Sequence, residues 1–398
     1  MKNIIEQLDQ KKCCGCGACI NICPTQALSF SQDALGFYRP KIDEDKCIKC
    51  GKCVRSCPQY NEAELTQSQK VYAGLYKDES ILRNSSSGAI FYALAEKVIA
   101  DGGCVFGVTL DSEFRVKHVC VDSIDNLPLL QKSKYVQSYL GDCYKRALQQ
   151  LKSGKTVLFS GTPCQVAAMK SLAKKNYAGR LILVDVVCHG NPSSLFWKDY
   201  LVNLANKNGS LKEYVFCYKR SVKNGMNKYV SFITQKEKKV VKNWPQDSYN
   251  CFFMEAKNYQ ECCYSCKYTK PERVSDITVC DFWSWDLYHK NDFPACSTVS
   301  GICVNSDVGE KMIEGIRNKL IIKESSFDNL SAHNGCLLRP TPKPADYENF
   351  MQEWKTKGFD FINQKFKKKN RVRILKNCLL MYVPEGFKLW FHRLRHGN

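Results

Sequence analysis

Two cysteine runs of identical spacing open the chain. Cys13-x2-Cys16-x2-Cys19-x3-Cys23-Pro24 recurs as Cys47-x2-Cys50-x2-Cys53-x3-Cys57-Pro58. Two-residue gaps let one loop bring three thiolates to three corners of an iron–sulfur cubane, and the fourth cysteine of each run then ligates the other cluster. The pattern predicts one [4Fe-4S] cluster on Cys13, Cys16, Cys19 and Cys57 and a second on Cys47, Cys50, Cys53 and Cys23. A pair of zinc knuckles is the competing reading. Zinc takes four ligands per site, commonly as two separated pairs, so triplets with a shared fourth suit it poorly. Cys14 is out of register and reads as a bystander.

A second constellation lies further along. Cys164 sits in the turn Gly161-Thr162-Pro163-Cys164 after the apolar run TVLFS, and Cys188 ends the run LILVDVVC, followed by His189 and Gly190. Thr162 suits an N-cap and Pro163 a first helical position. Both thiols then stand at the carboxyl ends of neighbouring parallel strands, where open α/β sheets bind ligands. Cys263-x2-Cys266 would complete four ligands for a third cubane. From spacing alone, small buried hydrophobes are an equal reading. His189 is a candidate proton donor, with a loop-orienting hydrogen bond as its alternative. Ser85, Ser86, Ser87 and Gly88 precede a helical pattern and would let backbone N–H groups meet a pyrophosphate. Lys134 and Tyr135, in Lys132-Ser133-Lys134-Tyr135, offer a cation and a ring.

The elements that must position these groups follow from periodicity. VYAGLY (71–76), CVFGVTL (104–110), TVLFS (156–160) and LILVDVVC (181–188) read as strands. GAIFYALAEKVIA (88–100), YKRALQQLKSG (144–154) and PCQVAAMKSLAKK (163–175) read as helices. Strand and helix in short alternation predict a parallel α/β sheet. Residues 211–250 read as edge hairpins or an insertion. The fold expected is an α+β ferredoxin-like dicluster domain at 1–60, then an α/β domain with a largely parallel sheet at 71–335, which the family resemblance given below implies is flavin-binding, and a basic C-terminal tail at 336–398.

Composition narrows the class. The 398 residues are 44% hydrophobic and 25% charged, ordinary for a globular protein and wrong for a disordered one. Apolar runs fall short of the roughly 18 residues of a membrane span, and the N-terminus lacks a signal-peptide h-region. A cytoplasmic protein is expected. In a reducing compartment 24 cysteines read as metal ligands and not as disulfides.

At this point the chain resembles a known family. SSSGAIFYALAEKVIADGGCVFGV, KSKYVQS, VLFSGTPCQVAAMK, VDVVCHGNPSSLFW and CYSCKYTKPERVSDITVCDFW occur in order. The series is similar to the coenzyme F420 hydrogenase/dehydrogenase beta-subunit family, in the variant with an N-terminal two-cluster ferredoxin domain. The resemblance implies FAD in the α/β domain beside a third [4Fe-4S] cluster on Cys164, Cys188, Cys263 and Cys266. Ser85, Ser86, Ser87, Gly88, Lys134, Tyr135, Gly161 and Thr162 become candidate flavin contacts. It also implies a ferredoxin or other redox protein as electron donor and an organic substrate or deazaflavin as acceptor. An adaptor subunit without its own substrate chemistry is the alternative. Ala89, Asn191 and Cys280 depart from the family pattern, with Ala89 and Cys280 standing where glycine is expected.

The net charge is +20, and residues 365–398 carry ten Lys and Arg against Glu385 alone. Phe387, Leu389, Trp390, Phe391 and Leu394 interleave with Lys388, Arg393 and Arg395. Peripheral contact with the inner face of a membrane is one expectation, docking of an acidic ferredoxin another; nucleic acid is not expected.

Overall fold

Each cysteine triplet wraps a loop that closes in a short helix. Gly17 and Gly51, equivalent in the two runs, take φ of +73° and +70° and open the helices Ala18–Ile22 and Lys52–Arg55. Glycine enters this left-handed region at little steric cost. Strands β1 (Leu28–Gln32) and β2 (Tyr38–Ile42) pair antiparallel beside them. The computed structural model describes residues 2–383 apart from 175, 178, 220–228 and 296.

The larger domain contributes β3 (Lys70–Tyr76), β4 (Cys104–Leu110), β5 (Val116–Val121), β6 (Val157–Gly161) and β7 (Leu181–Val186). An insertion follows with β8 (Leu211–Tyr218), β9 (Tyr229–Thr234) and β10 (Lys239–Asn243), an antiparallel sheet of its own. Then come β11 (Ile277–Asp281), β12 (Ser300–Val304) and β13 (Leu320–Ser325). The main sheet runs in the order β13-β3-β12-β11-β7-β6-β4-β5.

Its centre is parallel, as β11, β7, β6 and β4 are parallel neighbours. The flanks are antiparallel: β5 on one side, and β12, β3 and β13 on the other. The expectation of a largely parallel sheet therefore describes the centre of a mixed one. The reason on the β5 side is connection length. Residues 111–115 are enough for a hairpin, whereas a parallel neighbour needs a crossover of a dozen residues or more. The helix Pro163–Ala173 makes such a crossover between β6 and β7, and the helix Cys143–Lys152 leads into β6. Val105, Leu158, Ile182, Val184 and Ile277 fill the core beneath Ile90–Ala100.

Residues 347–369 form a helix with a break at Gly358, where φ is +79°. Phe350, Trp354, Phe359 and Phe366 pack against Phe196 and Phe252, and Trp354 is 1% exposed. The segment set apart by charge as a tail is thus built into an aromatic core as far as Phe366. Charge masked an apolar stripe at helical spacing. Lys388, Arg393, Arg395 and the apolar residues 387–394 lie outside the described residues. Among those described, no helix is long and apolar enough to cross a membrane.

Candidate functional site

The N-terminal cysteines gather in two crossed sets. Cys13, Cys16, Cys19 and Cys57 line one small cavity, with Cys14 also in its wall, and Cys23, Cys47, Cys50 and Cys53 line another. Each set takes three members from one run and the fourth from the other. Burial pushes the Cys57 thiol up to about 12 and the Cys13 thiol up to about 11. A thiol in such surroundings ionises only when a cation takes up the charge.

The third group stands at the carboxyl ends of β6 and β7. Thr162 N donates to Gln165 Oε1 at 3.0 Å, the N-terminal capping arrangement expected of that turn, and Thr162 Oγ1 lies 3.2 Å from Cys164 Sγ. Cys164, Cys263 and Cys266 are partly buried and pack against a buried cluster that contains Cys14, Cys16 and Cys262. Burial, then the neighbouring Cys263 and Cys266, push the Cys188 thiol well above its ordinary value. Asn191 N donates to Cys263 Sγ at 3.4 Å. Among the described residues, no three His, Cys, Asp or Glu side chains converge closely enough to hold a single metal ion.

Cys14 is not a bystander. Hydrogen bonds with Cys16 and Cys164 hold its thiol well below the ordinary value, so it lies between the first cysteine set and the third group. Its irregular place in the run gave no hint of this, because the contact is made by a loop 150 residues away in sequence.

Beside the third group lies a cavity of about 320 Å³, within the range of roughly 300–1,000 Å³ typical of ligand sites. Ser85, Ser86, Ser87, Lys134, Tyr135, Gly161, Thr162, Cys188 and His189 all line it. The helix Ile90–Ala100 starts at this wall without a side-chain cap, after Ala89 at φ +64°. The left-handed backbone there accounts for the glycine expected at this position. The serine hydroxyls are tied into the frame. Ser85 Oγ donates to Ile81 O at 2.9 Å, Ser86 Oγ accepts from Ser133 N at 2.7 Å, and Ser87 Oγ donates to Val299 O at 3.2 Å.

Two expected contacts have other work. Gly88 does not line the cavity: its N donates to Ser300 Oγ at 2.8 Å, and a Cβ there would sit 2.3 Å from Gly74 O. Lys134 Nζ donates to the carbonyls of Val108, Leu129 and Gln131 at 2.8, 3.2 and 2.6 Å, fixing the wall loop. The Tyr135 ring lies 4.4 Å from that of Phe253, and its hydroxyl 3.2 Å from Cys217 Sγ. His189 presents its ring 6.3 Å from Phe253, and its carbonyl accepts from Thr341 Oγ1 at 2.8 Å.

Sequence reasoning also missed His118. Its Nε2 is 3.2 Å from Ser160 O and its Nδ1 3.1 Å from Ser138 Oγ, and both serines line the cavity. Burial lowers its pKa to about 4. A lone histidine in a strand carries no local signal of this role. The ion pair Arg273–Asp185, at 3.1 Å and fully buried, holds the loop after Cys266 through Tyr268 O and Lys270 O.

Residues 154–329 match the family model for the C terminus of the coenzyme F420 hydrogenase/dehydrogenase beta subunit. Residues 12–61 and 39–87 each match a 4Fe-4S dicluster domain. Residues 154–329 therefore carry the C-terminal domain of this beta-subunit family. The N-terminus is a ferredoxin-type dicluster domain, the kind of module that carries electrons through iron–sulfur clusters. No curated protein matches the chain. Among solved structures, a chain of the F420-reducing [NiFe] hydrogenase complex from Methanosarcina barkeri is similar at a TM-score of 0.46 and 16% identity, over 77% of this chain and 94% of that one.

Proposed function

We propose that the chain is an iron–sulfur flavoprotein oxidoreductase. It exchanges electrons with a ferredoxin or similar redox protein at the N-terminal cysteine sets, and with an organic substrate or deazaflavin at the central cavity. One observation supports this above the others: Cys188 neighbours Cys263 and Cys266 and also lines the cavity, so a third cluster and a bound ring would share a wall.

The cavity fits FAD on its own features. An uncapped helix N-terminus opens onto it and would hold the pyrophosphate. Tyr135 and Phe253 would form an aromatic wall for the ring. Lys134 and His118 fix the loops around it. A flavin supplies the change between one-electron and two-electron chemistry. His189 would hold or deliver a proton to the substrate. Cys13, Cys16, Cys19, Cys57 and Cys23, Cys47, Cys50, Cys53 would hold two cubanes, with Cys164, Cys188, Cys263 and Cys266 holding the third. Ile48, between Cys47 and Cys50, is 65% exposed and offers a partner a place to dock.

Anaerobic reconstitution with iron, sulfide and FAD tests the reading. Three cubanes give about twelve irons per chain, with one FAD recovered on extraction. About eight irons and no flavin would overturn it and leave an electron-transfer subunit.

A further inference from the structure

The helix Arg371–Tyr382 is held on one side and bare on the other. Ile374 packs against the aromatic core. Asn243 Nδ2 donates to Asn377 O at 3.1 Å, and Gln246 Nε2 to Cys378 Sγ at 2.7 Å. Those residues share the face turned to the protein. Val372, Leu375 and Leu379 fall together on the opposite face, since a helix turns once in about 3.6 residues. They are 81%, 55% and 72% exposed. Large apolar side chains aligned in this way mark an interaction surface.

Charge decides the partner. From Phe361 to Pro384 the sequence contains no Asp or Glu, while Lys365, Lys367, Lys368, Lys369, Arg371, Arg373 and Lys376 all occur. Arg371 and Lys376 flank the stripe. A second copy of the helix would set these cations against their equivalents, which disfavours self-association. A nucleic acid would use the cations and leave the apolar stripe in water. An anionic bilayer satisfies both, taking the apolar face into the acyl boundary and the cations at the headgroups.

We propose that the Val372–Leu375–Leu379 face with its flanking cations is a docking surface for anionic lipid. The inference is independent of what the cavity binds. It places the protein on a membrane surface without crossing it.

Co-sedimentation of the full chain with vesicles tests this. The expected result is binding to phosphatidylcholine vesicles containing phosphatidylglycerol, weakened by high salt, and none to phosphatidylcholine alone. The double variant Leu375→Glu/Leu379→Glu is expected to weaken binding by about tenfold or more. Its melting temperature should stay unchanged, because both side chains are exposed. Lys376→Glu should weaken binding at low salt most. No binding to anionic vesicles, equal binding to neutral ones, or undiminished binding by the folded double variant overturns the proposal. So does a wild-type dimer that the double variant disperses and that ignores vesicles.

Discussion

Arg39 Nη1 donates to Gln260 Oε1 at 2.9 Å, across 221 residues of sequence. The same guanidinium group donates to Cys13 O at 2.8 Å and pairs with Asp33 at 3.2 Å. Gln260 in turn donates to Cys14 O at 3.1 Å, and its backbone N to Asn191 O at 3.1 Å. One side-chain pair therefore binds the first cysteine loop to the loop that carries Cys263. Gln260→Ala leaves two buried polar groups short of a partner. It is expected to lower stability by about 1–3 kcal/mol, read by urea denaturation, and to raise amide exchange in residues 13–17.

The crossed cysteine sets give a test that a zinc-knuckle arrangement would not pass. Cys57→Ala should remove about four irons and spare the set containing Cys47, Cys50 and Cys53. Cys23→Ala should do the converse, with Cys13, Cys16 and Cys19 keeping theirs. Iron analysis with EPR of the reduced variants separates the two losses. Each substitution lies in the run opposite to the cluster it empties.

Gly88→Ala should be severe. The added methyl meets Gly74 O at 2.3 Å and Ser300 N at 2.8 Å, backbone on both sides. Neither can swing away as a side chain does. Overpacking of this kind costs about 1–3 kcal/mol, measurable as a fall in melting temperature. Gly190→Ala should do comparable harm, since its methyl would enter the Tyr259 ring at 2.2 Å.

His118 predicts an acid-sensitive limb of stability. Its folded pKa of about 4 lies below the ordinary 6.5, so the unfolded chain takes the proton first as pH falls. The contribution is intact above about pH 6.5 and declines between there and pH 4. At about 1.4 kcal/mol per unit the full loss is about 3 kcal/mol. Denaturation of wild type and His118→Asn across that window should give curves that converge as acid is added. Parallel curves would refute the assignment.

The local features were the legible ones. TVLFS, LILVDVVC and the two helices around them announced β6, β7 and the turn bearing Cys164, because the signals are periodicity, an N-cap and a proline within a few residues. The crossed cysteine sets were legible for the same reason, their spacing being the geometry itself. The antiparallel flank of β12, β3 and β13 was not, since β12 and β13 join β3 from more than 200 residues away. Cys14, Arg39 and Gln260 stayed silent for that reason too. Each is ordinary in its own neighbourhood and becomes informative only when a distant loop is brought against it. Lys134 lines the cavity, while the three backbone carbonyls that also hold its Nζ were not announced by its neighbours in sequence.

The contact of Cys14 with both Cys16 and Cys164 has a kinetic meaning. In the three-cluster arrangement proposed above, two cubanes would flank that contact, and electron tunnelling, which falls steeply with separation, would then proceed at a rate set by atomic spacing, not by the swing of one domain towards another. Glycerol or another viscous cosolvent should slow the encounter with an external donor and leave the internal hop unaltered.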